Sequence, residues 1–414
     1  MASISRPRIT RRWSDYFSRP HGQMDFGLVI AVLTMVVAGL MMVYSASLYV
    51  SLRYQEMPGY YFWRQAAGAL LGVVGALVIQ TFDYRLIRRV STFVMLGTLA
   101  LLFAVLLTGD EFLGAQRGLY QGSFQPSELA KLVTIVYVAD WLSSKGDRIK
   151  DLGMGLIPFV FVVGIVGGLI AVQPDLSTAV LIVLVGFTMF FVAGARWTHF
   201  ISILLVGMLA FVALVNLFEH AAVRWEEYLI MLRDPSEAQW HTKQVFYALA
   251  RGGLFGQGLG NGFQKAGPMP VPHTDSILAV IGEELGLVGC LSALALLVYV
   301  GYRGFRIVMT TGDRYGQMLA LGITSWLVYQ GLINAAVITG IIPFTGLPFP
   351  FVSYGGSSMV VSLLGVGVLV NISQQNKRLE AGLTGPAGYK RSNAVAGFGR
   401  RDRRTYSSRV GRRR

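Results

Sequence analysis

Ten stretches of the chain are apolar for long enough to cross a bilayer, whose hydrocarbon core takes about 20 residues of α-helix. They run over 26–46, 62–82, 86–107, 127–143, 153–172, 176–194, 200–218, 276–300, 315–338 and 354–373. The pattern predicts an all-α polytopic membrane protein of about ten transmembrane helices. Polar sequence is confined to the two ends and the connections, the longest being 219–275 between the seventh and eighth runs. The chain thus divides into an N-terminal tail at 1–25, a membrane domain at 26–374 and a C-terminal tail at 375–414.

Composition agrees: of 414 residues 53% are hydrophobic and only 14% charged, where soluble domains carry about 25% charged residues. An ordinary cytosolic enzyme and a disordered scaffold are both excluded. Cys290 is the only cysteine, so an intrachain disulfide and a cysteine-rich metal site are excluded too. The net charge of +14 has a location. Ten spans put both termini on one side, with the connections 83–89, 144–152, 195–199 and 301–314, and these segments hold 27 of the 36 Lys and Arg. By the positive-inside rule that side is cytoplasmic and the 219–275 loop extracytoplasmic. The tail 377–414, with 12 basic and 2 acidic residues, reads as disordered and drawn to anionic headgroups rather than to nucleic acid. The first run is too long for the core of a cleaved secretory signal.

Ionisable residues inside a span cost roughly 2.5 to 3.5 kcal/mol each, so each needs a partner or a task. Glu128 and Lys131 stand three apart in the fourth run, on one helical face, where they pair with each other or line a polar cavity. Glu283 and Glu284 lie about 100° apart around the eighth helix, so at most one easily faces a given neighbour. One is expected to cap or pair and the other to sit near the outer boundary. Asp175 follows Gln173-Pro174 at a span start and reads first as an N-cap, second as a site residue.

In the outer connection, Trp240, Val245, Phe246, Leu249 and Leu254 recur at helical spacing, with Lys243, Gln244 and Arg251 on other faces. That suits an amphipathic helix lying on a membrane surface. The glycine-rich stretch Gly252 to Gly260 lacks the Gly-Lys-Ser/Thr ending of a nucleotide loop. Its amides either cradle a lipid diphosphate or form a tight turn back to the membrane. His273-Thr274-Asp275 then brings one carboxylate to the mouth of the eighth run, where an Asp by itself is usually an N-cap.

Together these segments resemble one family. Tyr44-Ser45-Ala46-Ser47, Gln125-Pro126-Ser127-Glu128-Leu129-Ala130-Lys131, Gln173-Pro174-Asp175-Leu176, Gly256 through Gly260, His273-Thr274-Asp275, Glu283-Glu284-Leu285-Gly286 and the run Pro350 to Ser358 follow the motifs of the SEDS membrane glycosyltransferases in order. That group contains the division protein FtsW, the elongation protein RodA and the sporulation protein SpoVE. The resemblance implies a ten-helix fold that polymerises lipid II into glycan strands outside the cytoplasmic membrane. It implies that Asp275 is the essential acidic residue, that Glu128 and Lys131 are functional charges, and that Arg117 is the arginine of the preceding loop. Ser353, Ser357 and Ser358 belong to the signature before the last span. With Lys243, Gln244, Arg251 and His273 they are candidate substrate contacts, while Asp175, Glu283 and Glu284 are candidate supporting residues. The sequence departs from the family pattern at Gly118, Ser177 and Val245, where an aromatic, a Gly and a Ser are usual; no charged group is lost.

The implied reaction asks for one carboxylate. A glycosidase uses two because its leaving alcohol must be protonated, whereas a diphosphate departs as a stabilised anion. Asp275 is the expected base toward the acceptor GlcNAc 4-hydroxyl, alone or as ligand to a divalent cation, Mg²⁺ or Mn²⁺. Lys131, Arg117 or Arg251 is expected to neutralise the departing undecaprenyl diphosphate. Direct displacement predicts inversion, and no nucleotide is needed. A class B penicillin-binding protein transpeptidase is the implied partner. Two other readings stay open: a transporter moving lipid II between leaflets, with Glu128, Lys131 and the glutamate pair along its path, and a non-catalytic scaffold. The short outer loops, the Tyr44 to Ser47 motif and the basic tail favour an FtsW-like over a RodA-like member.

Overall fold

The computed structural model describes residues 24–54, 57–108, 110–112, 115–118, 125–266, 269 and 271–380. Most of the predicted tails, 1–23 and 381–414, lies outside the described residues. Twelve α-helices are described: α1 (Phe26–Tyr54), α2 (Tyr60–Ile79), α3 (Arg85–Thr108), α4 (Pro126–Lys145), α5 (Ile157–Val172), α6 (Leu176–Val192), α7 (Trp197–Leu217), α8 (Glu219–Arg233), α9 (Trp240–Gly252), α10 (Ile277–Thr310), α11 (Arg314–Ile338) and α12 (Gly356–Glu380). Ten of them fall on the ten apolar runs, and α8 and α9 fold within the long outer connection. Seven, α5 taken with the helical turn before it, are long and apolar enough to span unaided; α6 and the apolar part of α7 are shorter, and α4 carries Glu128 and Lys131. A short antiparallel ribbon, β1 (Asp110–Phe112) with β2 (Ala115–Gly118), interrupts the α3–α4 connection, a local departure from the all-helical expectation. Helix α12 runs to Glu380, past the predicted start of the tail at 375.

Packing is set by which faces are apolar on one side only. Helix α2 lies along α12, α10 against α11 and α9, α3 against α4, and α5 against α6. Leu70, Leu71, Phe93, Leu96 and Phe161 point outward, each well over half exposed. In water such a belt would aggregate; here it is the surface lipid covers. The protein is a multi-pass membrane protein.

Polar contacts divide by end. At one end Arg303 pairs with Asp25, Arg85 with Asp313 at 3.1 Å and Arg88 with Asp140 at 2.7 Å, and Asn371 donates to the Ile79 carbonyl at 2.7 Å. Both ends of the described chain are therefore on this side. At the other end the starts of α4, α6 and α10 meet an extended segment, 341–355, that dips between them before α12.

Helix α10 is two helices joined at a break. Gly286 has φ +70°, and a Cβ there would lie 2.4 Å from the Leu254 carbonyl oxygen, so only glycine fits. The part before the break is buried; the part after it spans. This explains why α10 is 34 residues long, reaching ten residues beyond the predicted 276–300.

Candidate active site

Asp275 stands at the end of a turn, immediately before the helix that begins at Ile277. It is half-buried. Its carboxylate accepts from the Thr274 hydroxyl at 3.0 Å and lies 3.5 Å from Ser276 Oγ. Its backbone carbonyl accepts from Asn334 Nδ2 at 2.7 Å, and the same amide nitrogen donates to the Leu347 carbonyl at 2.8 Å. Asn334 thereby ties the Asp275 turn to the 341–355 segment. Across that segment, a Cβ at Gly346 would stand 3.6 Å from Asp275 Oδ2.

The segment 341–355 is held from every side. Gln330 Nε2 donates to the Pro348 carbonyl at 2.9 Å, Ser177 Oγ to the Thr345 carbonyl, and Gln65 clamps both the Ser353 carbonyl and the Gly355 amide at 3.0 Å. Ser353 Oγ accepts from the Phe349 amide at 2.8 Å, and Ser357 Oγ from the Gln125 amide at 3.2 Å; Ser358 sits half-buried in the first turn of α12. Phe351 takes φ +64°, an unusual conformation for an aromatic residue. Its carbonyl would be 2.5 Å from a Cβ at Gly39, so the α1 glycine permits the approach.

Behind it lies the buried pair. Lys131 Nζ is 2.7 Å from Glu128 Oε2 and 2.9 Å from Gln330 Oε1, with the Trp326 ring 5.4 Å away and Trp326 Nε1 donating to the same Gln330 oxygen at 2.8 Å. Of the two readings of the pair, the mutual ion pair is the one found. Lys131 is 1% exposed and committed to these partners, so it is not a free cation for a leaving group. Asp175 caps α6, accepting from the Thr178 amide at 3.3 Å, and also takes Ser127 Oγ at 3.2 Å, joining the starts of α4 and α6.

Glu283 and Glu284 depart from the expectation for adjacent helix residues. Both are fully buried and both are paired, because the break at Gly286 lets loop groups surround them. Glu283 accepts from the Phe263 amide at 2.9 Å and lies 3.6 Å from Arg251 Nε. Glu284 takes Ser45 Oγ at 2.8 Å, the Gly260 amide at 3.0 Å and the Lys265 ammonium. The amides of Gln257 and Gly258 donate to the carbonyls of Glu283 and Glu284 at 2.9 and 3.0 Å. These glycine-loop amides are therefore used by the protein itself, and the stretch is a turn that docks against α10 rather than a diphosphate cradle. Helix α9 also differs from expectation. Its buried face is Gln244, Val245, Ala248 and Gly252, against α10 and α11, while Trp240 is exposed. It packs on protein, and Gln244 is inside. Lys243 stays partly exposed on α9, and half-exposed Arg251 lies over the Phe263 ring. The Arg117 backbone belongs to β2; its side chain lies outside the described residues.

His273 is sandwiched between Tyr61, 4.3 Å away, and Tyr354, 5.2 Å away. Burial pulls its imidazole down to about 4. His241 on α9 approaches from the other side, its Nε2 2.9 Å from Ser276 Oγ. Burial lowers its pKa, and the Asp275 carboxylate offsets part of that. Beside it opens a small cleft between α8, α9 and the end of α11. Among the described residues no group of three or more His, Cys, Asp and Glu could hold a metal ion, so Asp275 would have to share any ion with its substrate.

A family model described as Cell cycle protein, covering FtsW, RodA and SpoVE, matches residues 26–378. The chain belongs to this family. It is 40% identical over 358 residues to the probable peptidoglycan glycosyltransferase FtsW of Trichlorobacter lovleyi, covering 85% of this chain and 93% of the relative. It is 39% identical to the stage V sporulation protein E of Bacillus subtilis, covering 85% and 98%. Among solved structures, the rod shape determining protein RodA of Thermus thermophilus superposes with a TM-score of 0.63 at 27% identity, covering 85% and 97%. A chain from work described as structural coordination of polymerization and crosslinking by a peptidoglycan synthase complex gives 0.68 at 27%, covering 85% and 98%.

Within the FtsW/RodA/SpoVE frame, the charged motifs form two clusters. One joins Glu128, Lys131 and Asp175 to the segment beside Asp275; the other joins Glu283, Glu284 and Arg251 to the glycine loop. The residues missed from sequence were the couplers: Gln330 and Asn334 on α11, Gln65 on α2, Lys265, and His241. Gln330 and Asn334 carried a usable signal, two amides four apart on one face of an apolar run.

Proposed function

We propose that the protein is a peptidoglycan glycosyltransferase that polymerises lipid II at the outer face of the cytoplasmic membrane, releasing undecaprenyl diphosphate, in division or in elongation. The carrying observation is Asp275: a half-buried carboxylate at the rim of the bundle, fixed through its own backbone by Asn334 and linked through Ser276 to His241, which lines the neighbouring cleft. Family membership with relatives named as glycosyltransferases supports the same reading.

Asp275 takes the proton of the acceptor 4-hydroxyl as that oxygen attacks the anomeric carbon of the donor, and the bond to the diphosphate breaks on the opposite face, so the product is inverted. Lys243, Arg251 and Arg117 are the candidates for facing the diphosphate; Lys131 serves instead to hold Gln330 and the 341–355 segment in place. Mg²⁺ or Mn²⁺ would be held by Asp275 together with diphosphate oxygens, the sharing that Mg²⁺ favours, and would neutralise leaving-group charge. Gln244, His273, Ser353, Ser357 and Ser358 shape the surroundings of the acceptor. The partner is a class B penicillin-binding protein that cross-links the emerging strand.

Asp275→Asn keeps the shape of the side chain and removes the base. The purified variant should be as abundant and as heat-stable as the parent yet make no glycan from lipid II in detergent. Polymer formed by the variant would refute the assignment. Absence of polymer from the parent under every condition, with lipid II moving between vesicle leaflets, would favour a transporter; a scaffold would tolerate the variant in cells.

A further inference from the structure

We propose that His241 is a positioning residue for Asp275, acting through the hydroxyl of Ser276. The inference rests on the reading of Asp275 as the base, and it concerns a residue outside the motifs that carry that reading.

Ser276 is fully buried, and its Oγ sits between two groups: 2.9 Å from His241 Nε2 and 3.5 Å from Asp275 Oδ1. A hydroxyl has one proton to give. When the His241 ring carries its hydrogen on Nε2, it donates to Ser276 Oγ, and the Ser276 proton is left to point at Asp275. The three residues then form one line of donors ending on the carboxylate. Thr274 Oγ1 holds the same oxygen, Oδ1, at 3.0 Å. Oδ1 is thus the anchored oxygen, and Oδ2, which faces Gly346, is left for the acceptor hydroxyl.

His241 is itself well placed to serve as a strut. It lies in the first turn of α9, whose buried Gln244, Val245, Ala248 and Gly252 fix that helix on the protein. Its ring meets Phe344 edge-on at 4.5 Å, one residue before Thr345 and two before Gly346. It therefore touches both walls that flank Asp275, the start of α10 and the 341–355 segment. Its remaining side forms part of the cleft, beside Arg224, Glu227 and Tyr228 of α8. A base whose anchored oxygen is free to rotate loses the aligned geometry on which its rate depends. Sequence reading passed over the pair because Trp240-His241 and Ser276 are separated by more than 30 residues and neither is charged at neutral pH.

The test uses the full-length protein in detergent with purified lipid II. His241→Phe keeps the ring against Phe344 and removes Nε2; Ser276→Ala removes the intermediary; His241→Gln offers an amide hydrogen at similar reach. His241→Phe and Ser276→Ala should each lower kcat roughly tenfold, with KM for lipid II held within about twofold. His241→Gln should recover kcat to within about threefold of the parent, and the double variant should lose no more than either single one. Unchanged kcat in Ser276→Ala, losses that multiply in the double variant, or a loss confined to KM would each overturn the positioning role. Should His241→Phe lower the melting temperature, Ser276→Ala and His241→Gln decide the matter. Polymer made by Asp275→Asn would instead remove the reading beneath, while an inactive Asp275→Asn beside a fully active Ser276→Ala would sink only this inference.

Discussion

One amide nitrogen of Asn334 joins two backbone carbonyls, those of Asp275 at 2.7 Å and Leu347 at 2.8 Å, and so fixes the candidate base relative to the segment opposite it. Asn334 is buried in a span, and the Leu347 carbonyl that it serves is buried with it, with no water as an alternative. Asn334→Leu should therefore leave the buried Leu347 acceptor unsatisfied, at about 1 to 3 kcal/mol, release the Asp275 turn, and lower glycan synthesis by at least an order of magnitude. Polymerisation rate alongside melting temperature in detergent measures the two effects; a variant with parental values for both would show that the tie is dispensable.

The Glu128–Lys131 pair makes a sharper stability prediction. Lys131→Met strands a buried carboxylate, which costs about 3 to 5 kcal/mol when one partner of such a pair is removed. Adding Glu128→Gln should recover most of the loss, because the charge no longer needs a partner. Thermal unfolding of the two single variants and the double variant forms the cycle; a double variant as unstable as Lys131→Met would mean that the charge is not the cause.

His273 predicts a pH window. Its native pKa of about 4 lies below its ordinary value of 6.5, so between the two the unfolded chain binds a proton that the native protein does not. The contribution is complete above pH 6.5 and is lost as pH falls toward about 4, up to roughly 3 kcal/mol. His273→Gln should flatten the dependence of melting temperature on pH within that window. An unchanged slope would assign the acid sensitivity to other groups.

Gly286→Ala introduces a Cβ into the Leu254 carbonyl at a left-handed backbone position. The expected result is a loss of about 2 kcal/mol or more, read as poor recovery of folded protein from membranes by size-exclusion chromatography. Gly97→Ala, where a Cβ meets nothing within 4 Å, is the control and should behave as the parent.

Much of this architecture was legible because bilayer thickness imposes one length on every span. The ten apolar runs became ten helices, α4 among them although Glu128 and Lys131 dilute its apolar signal, and those two charges proved to be partners. Pairings were harder. Glu283 and Glu284 read as helix neighbours on different faces, and only a break at Gly286, together with a loop folded over it, explains how both are buried and satisfied. The role of α9 was misread for a related reason: Trp240 and Leu254 look like membrane anchors, but the helix turns Val245 and Ala248 inward and buries Gln244 with them. The Asp275 turn was visible as a motif; its neighbours His241 and Asn334 were not, since contacts between distant segments leave no periodic trace.

The break in α10 has a consequence for folding. In an unbroken helix the Leu287 amide would bond to the Glu283 carbonyl; here the first goes to Gly253 and the second is taken by Gln257, with Val288 and Leu254 paired likewise. Leu287, Val288 and Leu291 face outward toward lipid immediately beyond. Without the polypeptide from Gly252 to Gly260 docked against it, the broken form of α10 would present bare peptide groups to hydrocarbon. The break in α10 can therefore form only together with the docked connection, and the two are one cooperative unit.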